Sequence, residues 1–209
     1  MTFKIVIIDY GMGNLKSIFK ALQHLDTKGI ITSNPNEIQD ADGIILPGVG
    51  AFGDAMINLN EKGLSTILID LINEKKPLLG VCLGQQLLFS QSSEMGHHKG
   101  LGIIEGKVLR FDTSKVDKVP QIGWNNVYFT NENHFLLQGI PNNSYFYFVH
   151  SFYGIPKKDK NILGRTTYGE IEFCSIVCKD NVIATQFHPE KSSNFGLTIY
   201  QNFIQYCRK

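Results

Sequence analysis

The sequence predicts an α/β fold: a doubly wound, mostly parallel sheet with helices on both faces, to which a β-rich half is added. In the first half, short apolar runs alternate with segments whose apolar residues recur at helical spacing. Strands separated by helices imply parallel pairing, with helices covering both faces of the sheet. In the second half, runs rich in β-branched and aromatic residues follow one another with tight turns, which indicates further strands.

Length and composition fit a single domain over residues 1–209. The chain has 209 residues, of which 43% are hydrophobic and 19% charged, as is ordinary for a globular protein with a real core. A formal net charge of +1 gives no reason to expect a nucleic acid or an anionic membrane as partner. The apolar runs are far below the ~18 residues of a membrane span, and no signal-peptide cleavage site follows the first of them. We therefore expect a cytoplasmic location.

The predicted elements follow from these patterns. Strands are predicted over residues 3–8, 29–32, 43–46, 77–81, 101–111, 127–129, 145–153, 171–178 and 182–187. Helices are predicted over residues 15–25, 51–60, 64–74, 83–91 and 197–206. Open parallel sheets bind ligands at the carboxyl ends of their strands, so we expect the site where Gly-containing loops follow Ile8, Leu46 and Val81.

A single cysteine lies where the strand ending at Val81 meets the next helix. Residues 80–84 read Gly-Val-Cys-Leu-Gly, a nucleophile-elbow pattern with cysteine in place of serine. The glycines tolerate a tight turn, and the helix N-terminus favours a thiolate. Cys82 is thus a candidate nucleophile, and the alternative is a small buried residue between strand and helix.

The tripeptide His-Pro-Glu at residues 188–190 follows directly on the last predicted strand. A thiolate nucleophile needs a base, and the base needs a group that orients it. Residues two apart in extended chain point the same way, so Glu190 can accept from His188 while His188 faces the sulfur. Alone, the tripeptide would be an ordinary surface turn. Combined with the cysteine elbow, a catalytic triad of Cys82, His188 and Glu190 is the better interpretation.

The Gly-rich segment 47–53 offers backbone N–H groups that no side chain obstructs. It could supply one oxyanion donor, with the amide of Leu83 as the other. Phosphate binding is the competing use, but the segment lacks the Lys-Ser/Thr end of a P-loop and the full G-x-G-x-x-G spacing.

The other cysteines and histidines give weaker signals. Cys174 and Cys178 are a poor zinc pattern and are predicted to be buried structural residues, while Cys207 near the C-terminus is incidental. His150 ends an aromatic run and has no nearby carboxylate, so we expect it to line the site rather than act as a second base.

These segments resemble the class I, triad-type glutamine amidotransferases over essentially the whole chain. The cysteine elbow and His-Pro-Glu are common to that family. Narrower segments are similar to the glutaminase subunits of imidazole glycerol phosphate synthases: Pro-Gly-Val-Gly-Ala-Phe at 47–52, Gly-Trp-Asn at 123–125 and Phe-Val-His-Ser at 148–151.

The resemblance implies a role for each matching residue. Cys82 would attack the amide of glutamine, His188 would protonate departing ammonia and then activate water, and Glu190 would orient His188. The implied oxyanion hole consists of Gly48, Val49, Gly50 and Leu83. The implied glutamine-binding residues are Gln86, Glu94, His150, Ser151 and Phe152. No cofactor and no metal are implied.

The resemblance also implies a partner. Ammonia would pass through a tunnel into a cyclase subunit with a (β/α)8 barrel, forming a heterodimer that serves histidine biosynthesis. The implied interface residues are Met12, Asn14, Tyr147 and Lys191. Since such glutaminases are weak without their partner, we hypothesise that the 48–50 loop must rearrange.

Four positions depart from the family pattern and keep other functions open. Met is frequent at the positions of Gln85 and Ile122, His at that of Gln121, and Tyr at that of Phe152. Residues 155–159 also resemble a paralogous subunit that supplies ammonia for amidino-sugar synthesis. A free-standing cysteine hydrolase and a non-catalytic flavodoxin-like module are the remaining alternatives.

Overall fold

The structure is a computed structural model that describes residues 3–209. Its helices are α1 (Leu15–His24), α2 (Pro35–Gln39), α3 (Phe52–Glu61), α4 (Leu64–Asn73), α5 (Leu83–Leu87) and α6 (Ser193–Cys207). Its first strands are β1 (Ile5–Ile8), β2 (Gly29–Thr32), β3 (Gly43–Leu46), β4 (Leu78–Val81), β5 (Phe89–Ser92), β6 (His98–Lys99) and β7 (Ile104–Arg110). The later strands are β8 (Gln121–Phe129), β9 (Ser144–His150), β10 (Phe152–Pro156), β11 (Ile162–Tyr168), β12 (Ile171–Lys179) and β13 (Val182–Thr185).

A nine-stranded mixed sheet organises the molecule, in the order β2-β1-β3-β4-β13-β12-β11-β8-β9. The first five strands in this order, from β2 through β4 to β13, pair in parallel. The remaining four, β12, β11, β8 and β9, continue the sheet with antiparallel pairing. Four other strands form a second sheet in the order β10-β7-β5-β6. The predicted α/β class is confirmed, and most of the β-rich half extends the first sheet.

Alternate residues of β1 show why helices cover both faces. Ile5 and Ile7 belong to one hydrophobic core, which also contains apolar residues of α1 and α6. Val6 and Ile8 belong to the other, which contains residues of α3, α4 and the second sheet. A strand that is buried on both faces needs apolar residues at every position, and β1 reads Ile-Val-Ile-Ile.

Two predicted elements are wrong in a way that matters for the site. The helix predicted over 83–91 ends at Leu87, and β5 follows, because Phe89 pairs with Ile104 of β7 and this tertiary pairing overrides local propensity. The strand predicted over 145–153 divides at Ser151 into β9 and β10, which belong to different sheets. Strands β6 and β11 and helix α2 were missed. Within residues 3–209, no helix is both long and apolar enough to cross a membrane.

Candidate active site

Cys82 lies at a strained turn between β4 and α5. Its backbone has φ 55° and ψ −110°, a conformation that residues with a Cβ rarely adopt. Its N–H donates to the carbonyl of Thr185 at 2.8 Å, which fixes the turn to the end of β13. A side chain on Gly84 would collide with the carbonyl of Leu46, so the close packing of the elbow requires glycine there. The turn directs the sulfur toward the carboxyl edge of the parallel strands.

His188 and Glu190 follow the end of β13 and are joined by a hydrogen bond. Nδ1 of His188 lies 2.8 Å from Oε1 of Glu190, and both side chains are buried. The hydroxyl of Tyr200 on α6 donates to the other carboxylate oxygen at 3.3 Å. Nε2 of His188 has no hydrogen-bond partner within residues 3–209, and both His188 and Cys82 border the same cavity.

Electrostatics favour a charged imidazole at this site. Burial disfavours the imidazolium form, but the interactions of the ring with Cys82 and with the hydrogen-bonded carboxylate of Glu190 outweigh it and raise the pKa of His188 above its usual value. An imidazolium and the sulfur of Cys82 therefore face the same cavity. Such a pair combines a nucleophile with a proton donor for a leaving group.

A cavity of about 330 Å³ opens in front of the sulfur, a size within the range of small-molecule sites. Its lining residues are Val49, Gly50, Cys82, Leu83, Gln86, Glu94, Pro120, Val149, His150, Ser151, Phe152 and His188. All five residues predicted to bind glutamine therefore border one cavity with the predicted nucleophile and base. Pro120 and Val149 were not predicted from the sequence.

The loop from Pro47 to Gly50 packs closely over the start of α5. The hydroxyl of Tyr10 donates to the carbonyl of Pro47 at 2.8 Å from below the loop. A Cβ on Gly48 would lie 2.5 Å from that hydroxyl and 2.8 Å from Cβ of Leu83, so the approach needs glycine. Of the four residues predicted for an oxyanion hole, Gly48 alone does not line the cavity.

Glu94 lines the cavity from the β5–β6 connection. Its Oε2 accepts from the backbone N–H of Phe52 at 2.7 Å, the first residue of α3. A carboxylate is favoured at a helix N-terminus, which fixes its position. The cavity lining thereby includes a carboxylate held in place by the N-terminus of α3.

The imidazole of His150 is held by two hydrogen bonds. Nδ1 lies 2.8 Å from the carbonyl of Phe152, and Nε2 lies 2.9 Å from Oε1 of Gln121. Since a carbonyl only accepts, the neutral ring carries its proton on Nδ1 and accepts at Nε2, which requires the Gln121 amide turned so that its NH₂ group faces the ring. Burial lowers the pKa of His150 to about 4, which keeps the ring neutral. With both nitrogens occupied, His150 shapes the cavity wall and is not placed to act as a base.

The comparisons with known proteins agree with this geometry. The model of the "Glutamine amidotransferase class-I" family matches residues 6–206. The chain belongs to the class I glutamine amidotransferase family. The predicted family and enzyme class are thereby confirmed.

Two relatives of the amidotransferase are both called "Imidazole glycerol phosphate synthase subunit HisH". That of Methanocaldococcus jannaschii is 51% identical over 199 residues, covering 95% of this chain and 97% of the relative. That of Sulfurimonas denitrificans is 48% identical over 205 residues, covering 97% of this chain and 98% of the relative. The structure of PurLQS from Thermotoga maritima has a TM-score of 0.79 at 19% identity, with 99% of each chain covered, and supports the fold alone.

The amidotransferase also exposes an apolar face on the β8–β9 hairpin. Ile122, Trp124, Tyr128 and Tyr145 are each more than half exposed, and the Trp124 ring packs edge-on against Tyr147 at 6.2 Å. Nζ of Lys191 lies 5.9 Å from the Tyr147 ring centre. Sequence reasoning missed this face except at Tyr147. Its signal was a strand, β9, with large apolar residues at successive positions although it lies at the sheet edge.

The other residues predicted for an interface lie near the 47–50 loop. The side chain of Met12 packs against Gly50. Asn14 immediately precedes α1 but makes no side-chain capping hydrogen bond. Among residues 3–209, no group of three His, Cys, Asp or Glu side chains is placed to hold a metal ion.

Proposed function

We propose that this amidotransferase is the glutaminase subunit of an imidazole glycerol phosphate synthase, which hydrolyses glutamine to glutamate and ammonia for histidine biosynthesis. The observation that carries the proposal is the single cavity bordered by Cys82, His188 and the predicted glutamine-binding residues. The name of the relatives at 48–51% identity supports the histidine pathway over the amidino-sugar alternative.

In the first half-reaction, the Cys82 thiolate attacks the side-chain amide carbon of glutamine. The oxygen of the tetrahedral intermediate is stabilised by the Leu83 N–H and by the 48–50 loop, which comes from the end of a neighbouring strand. The imidazolium of His188 gives its Nε2 proton to the amide nitrogen. The carbon–nitrogen bond then breaks, which leaves ammonia and a glutamyl thioester.

In the second half-reaction, neutral His188 takes a proton from water as the water oxygen attacks the thioester. The carbon–sulfur bond breaks, which restores the thiolate and the imidazolium, and the product leaves as the side-chain carboxylic acid, which loses its proton to solvent to give glutamate. Glu190 keeps Nδ1 protonated and holds the ring so that Nε2 faces the reacting atoms. Tyr200 in turn holds the carboxylate.

Substrate selection follows from the cavity walls. Glu94 is the carboxylate on the lining and would pair with the α-ammonium group of glutamine. Gln86, His150, Ser151 and Phe152 line the same cavity. Glu94 thereby favours a substrate that carries a cationic group, which disfavours a general esterase activity.

The exposed face of the β8–β9 hairpin, with Lys191 beside it, is where we place the partner, a cyclase with a (β/α)8 barrel. Trp124 and Tyr147 would form its apolar centre. Val149 lies on the same side of β9 as Tyr147, and its carbonyl is 4.0 Å from the Cys82 sulfur. Ammonia released at Cys82 is therefore one strand away from the docked partner. Met12 and Asn14 would complete the interface beside the 47–50 loop.

We also place this reaction in the cytoplasm, where thiols stay reduced. All four cysteines are free in the structure, and a nucleophilic Cys82 has to remain so.

The test is glutaminase activity of the purified chain with the barrel subunit added, with and without the ribonucleotide ligand of that subunit. We expect a large rise that requires both components and that disappears in Cys82→Ala. The matched control is Cys178→Ala, since Cys178 lies outside the cavity, and it should retain the rise. A reactive Cys82 without any rise would contradict the histidine-pathway assignment and favour the amidino-sugar subunit.

A further inference from the structure

Three glutamine side chains form a buried amide layer beneath the elbow. Gln85 and Gln186 are fully buried, and Gln86 is 5% exposed. Buried amides are costly unless their hydrogen bonds are made, and within residues 3–209 the one buried amide atom of this layer without a partner is Oε1 of Gln85. Gln85 donates to the carbonyls of Ala184 and Ser175 and thereby joins the elbow to the sheet. The Gln186 side chain faces the sulfur instead, with Nε2 at 3.8 Å from Sγ of Cys82.

A backbone carbonyl decides which way the Gln186 amide points. The carbonyl of Phe152 can only accept, and Nε2 of Gln86 donates to it at 2.9 Å, which fixes the orientation of the Gln86 amide. The same nitrogen donates its second proton to Oε1 of Gln186 at 3.0 Å. With its oxygen held by Gln86, Gln186 presents its NH₂ group to the sulfur. The alternative orientation would place two amide NH₂ groups against each other.

We propose that Gln186 is a positioning residue that donates an N–H to the sulfur of Cys82 and so stabilises the attacking thiolate. A donor to the charged form of an acid favours that form, and hydrogen bonds to charged groups are among the stronger ones. The role rests on the proposed function, in which Cys82 is the nucleophile. Gln86 borders the cavity whereas Gln186 does not, so the Phe152–Gln86–Gln186 relay also connects the substrate wall to the nucleophile.

The test measures how fast iodoacetamide alkylates Cys82 as a function of pH, read by mass spectrometry of the peptide that contains Cys82. In Gln186→Met the side chain keeps its length and loses the donor. We expect the midpoint of the Cys82 alkylation profile to rise by about one pH unit, with a roughly tenfold lower rate below it. The other thiols do not interfere, because burial raises the pKa of Cys178 to about 11 and that of Cys207 to about 12.

Gln85→Met is the matched control, since it removes an equally buried amide from the same elbow without touching the sulfur. It should leave the midpoint unchanged, even where it alters the melting temperature. If Gln186→Met does not fold, Gln186→Asn keeps the amide but withdraws the N–H by one methylene, and it should shift the midpoint in the same direction. An unchanged midpoint in a folded Gln186 variant, or an equal shift in Gln85→Met, would overturn the proposal.

Alkylation needs no glutamine, so this readout is separate from the proposed glutaminase. Failure of glutamine hydrolysis with a shifted profile would leave the Gln186 contact standing and refute the function. Full glutaminase activity of the unsubstituted protein with an unshifted alkylation profile in the Gln186 variant would support the function and refute the role of Gln186.

Discussion

Cys82 and Cys174 are two buried thiols whose surroundings differ: Cys82 follows β4, Cys174 lies in β12, and β13 separates these two strands. Both are nearly inaccessible, at 6% and 3% exposure. Cys174 lies within β12, where its only polar contact in residues 3–209 is the carbonyl of Ile176 at 3.3 Å. Burial raises the pKa of the Cys174 thiol far above its usual range. Cys82 lies outside its strand, at the start of α5, beside His188 and Gln186.

The difference shows that burial does not decide what a thiol can do. A thiol that is buried among apolar groups stays protonated and inert, as at Cys174. The positive φ at Cys82 turns the sulfur away from the sheet and toward the amide of Gln186 and the imidazolium of His188. The strained turn and its polar neighbours therefore separate a nucleophile from a core residue of the same type.

The largest expected effect comes from removing each sulfur in turn. Cys82→Ala should lower glutamine turnover with the partner present by at least about a thousandfold, since removing a nucleophile removes the covalent route. Cys174→Ala should keep that turnover and lower the free energy of unfolding by about 1–2 kcal/mol through a small cavity. Steady-state kinetics and urea denaturation measure the two effects. Comparable turnover losses would mean that the two thiols do not differ as described.

A smaller effect is expected from the carboxylate that orients the base. Glu190→Gln keeps the shape but removes the charge beside His188, and turnover should fall by about a hundredfold to ten-thousandfold. Tyr200→Phe removes only the hydrogen bond to Oε2, so its loss should be severalfold at most. Measurement of kcat for both variants tests this order. A greater loss of kcat in Tyr200→Phe than in Glu190→Gln would contradict the prediction.

The pH profile should respond to the same carboxylate. The pKa of His188 is raised above its usual 6.5, so the stability that the imidazolium contributes is fully present below 6.5 and is lost as pH rises through the folded-state pKa. Activity that needs the imidazolium should therefore persist above neutral pH. In Glu190→Gln the alkaline limb of kcat/KM should move to lower pH. A limb that does not move would mean that Glu190 does not support the charge of His188.

The smallest effect on catalysis is expected at the amino-terminal ends of the parallel strands, which lie opposite the end where Cys82 is found. Asn181 precedes β13 and donates to the carbonyls of Ile72 and Lys76 at 3.1 and 2.7 Å. Asn181→Ala leaves both carbonyls short of a donor, so the free energy of unfolding should fall by about 1–3 kcal/mol. Turnover at a temperature where the variant is folded should match the unsubstituted protein. Calorimetry and kinetics on one preparation test both statements.

The sequence predicts best where one local pattern determines the structure. Strands β2 and β3 have the predicted bounds, because a short apolar run between turn signals has few other solutions. The elbow and His-Pro-Glu were recognisable because their residue types and spacing follow from the chemistry. The triad roles themselves stay predictions, although the structure brings Cys82 and His188 to one cavity.

The errors arise where distant pairing decides the structure. Residues 89–91 are predicted to be helical, but pairing with β7 makes them part of strand β5. The break at Ser151 arises because the segments on its two sides pair with different sheets, and local propensity does not predict such a break. The contact of Gln186 with Cys82 was also missed, since it joins residues that are far apart in sequence and needs the orientation of Gln86.

Trp124 is the only tryptophan in the chain, and it is 53% exposed on the face where we place the partner. The amidotransferase therefore has a built-in fluorophore at that surface. Indole emission shifts to shorter wavelength when water around the ring is replaced by apolar groups. Titration with a tryptophan-free barrel would then report assembly directly, without a label and independently of any enzymatic assay.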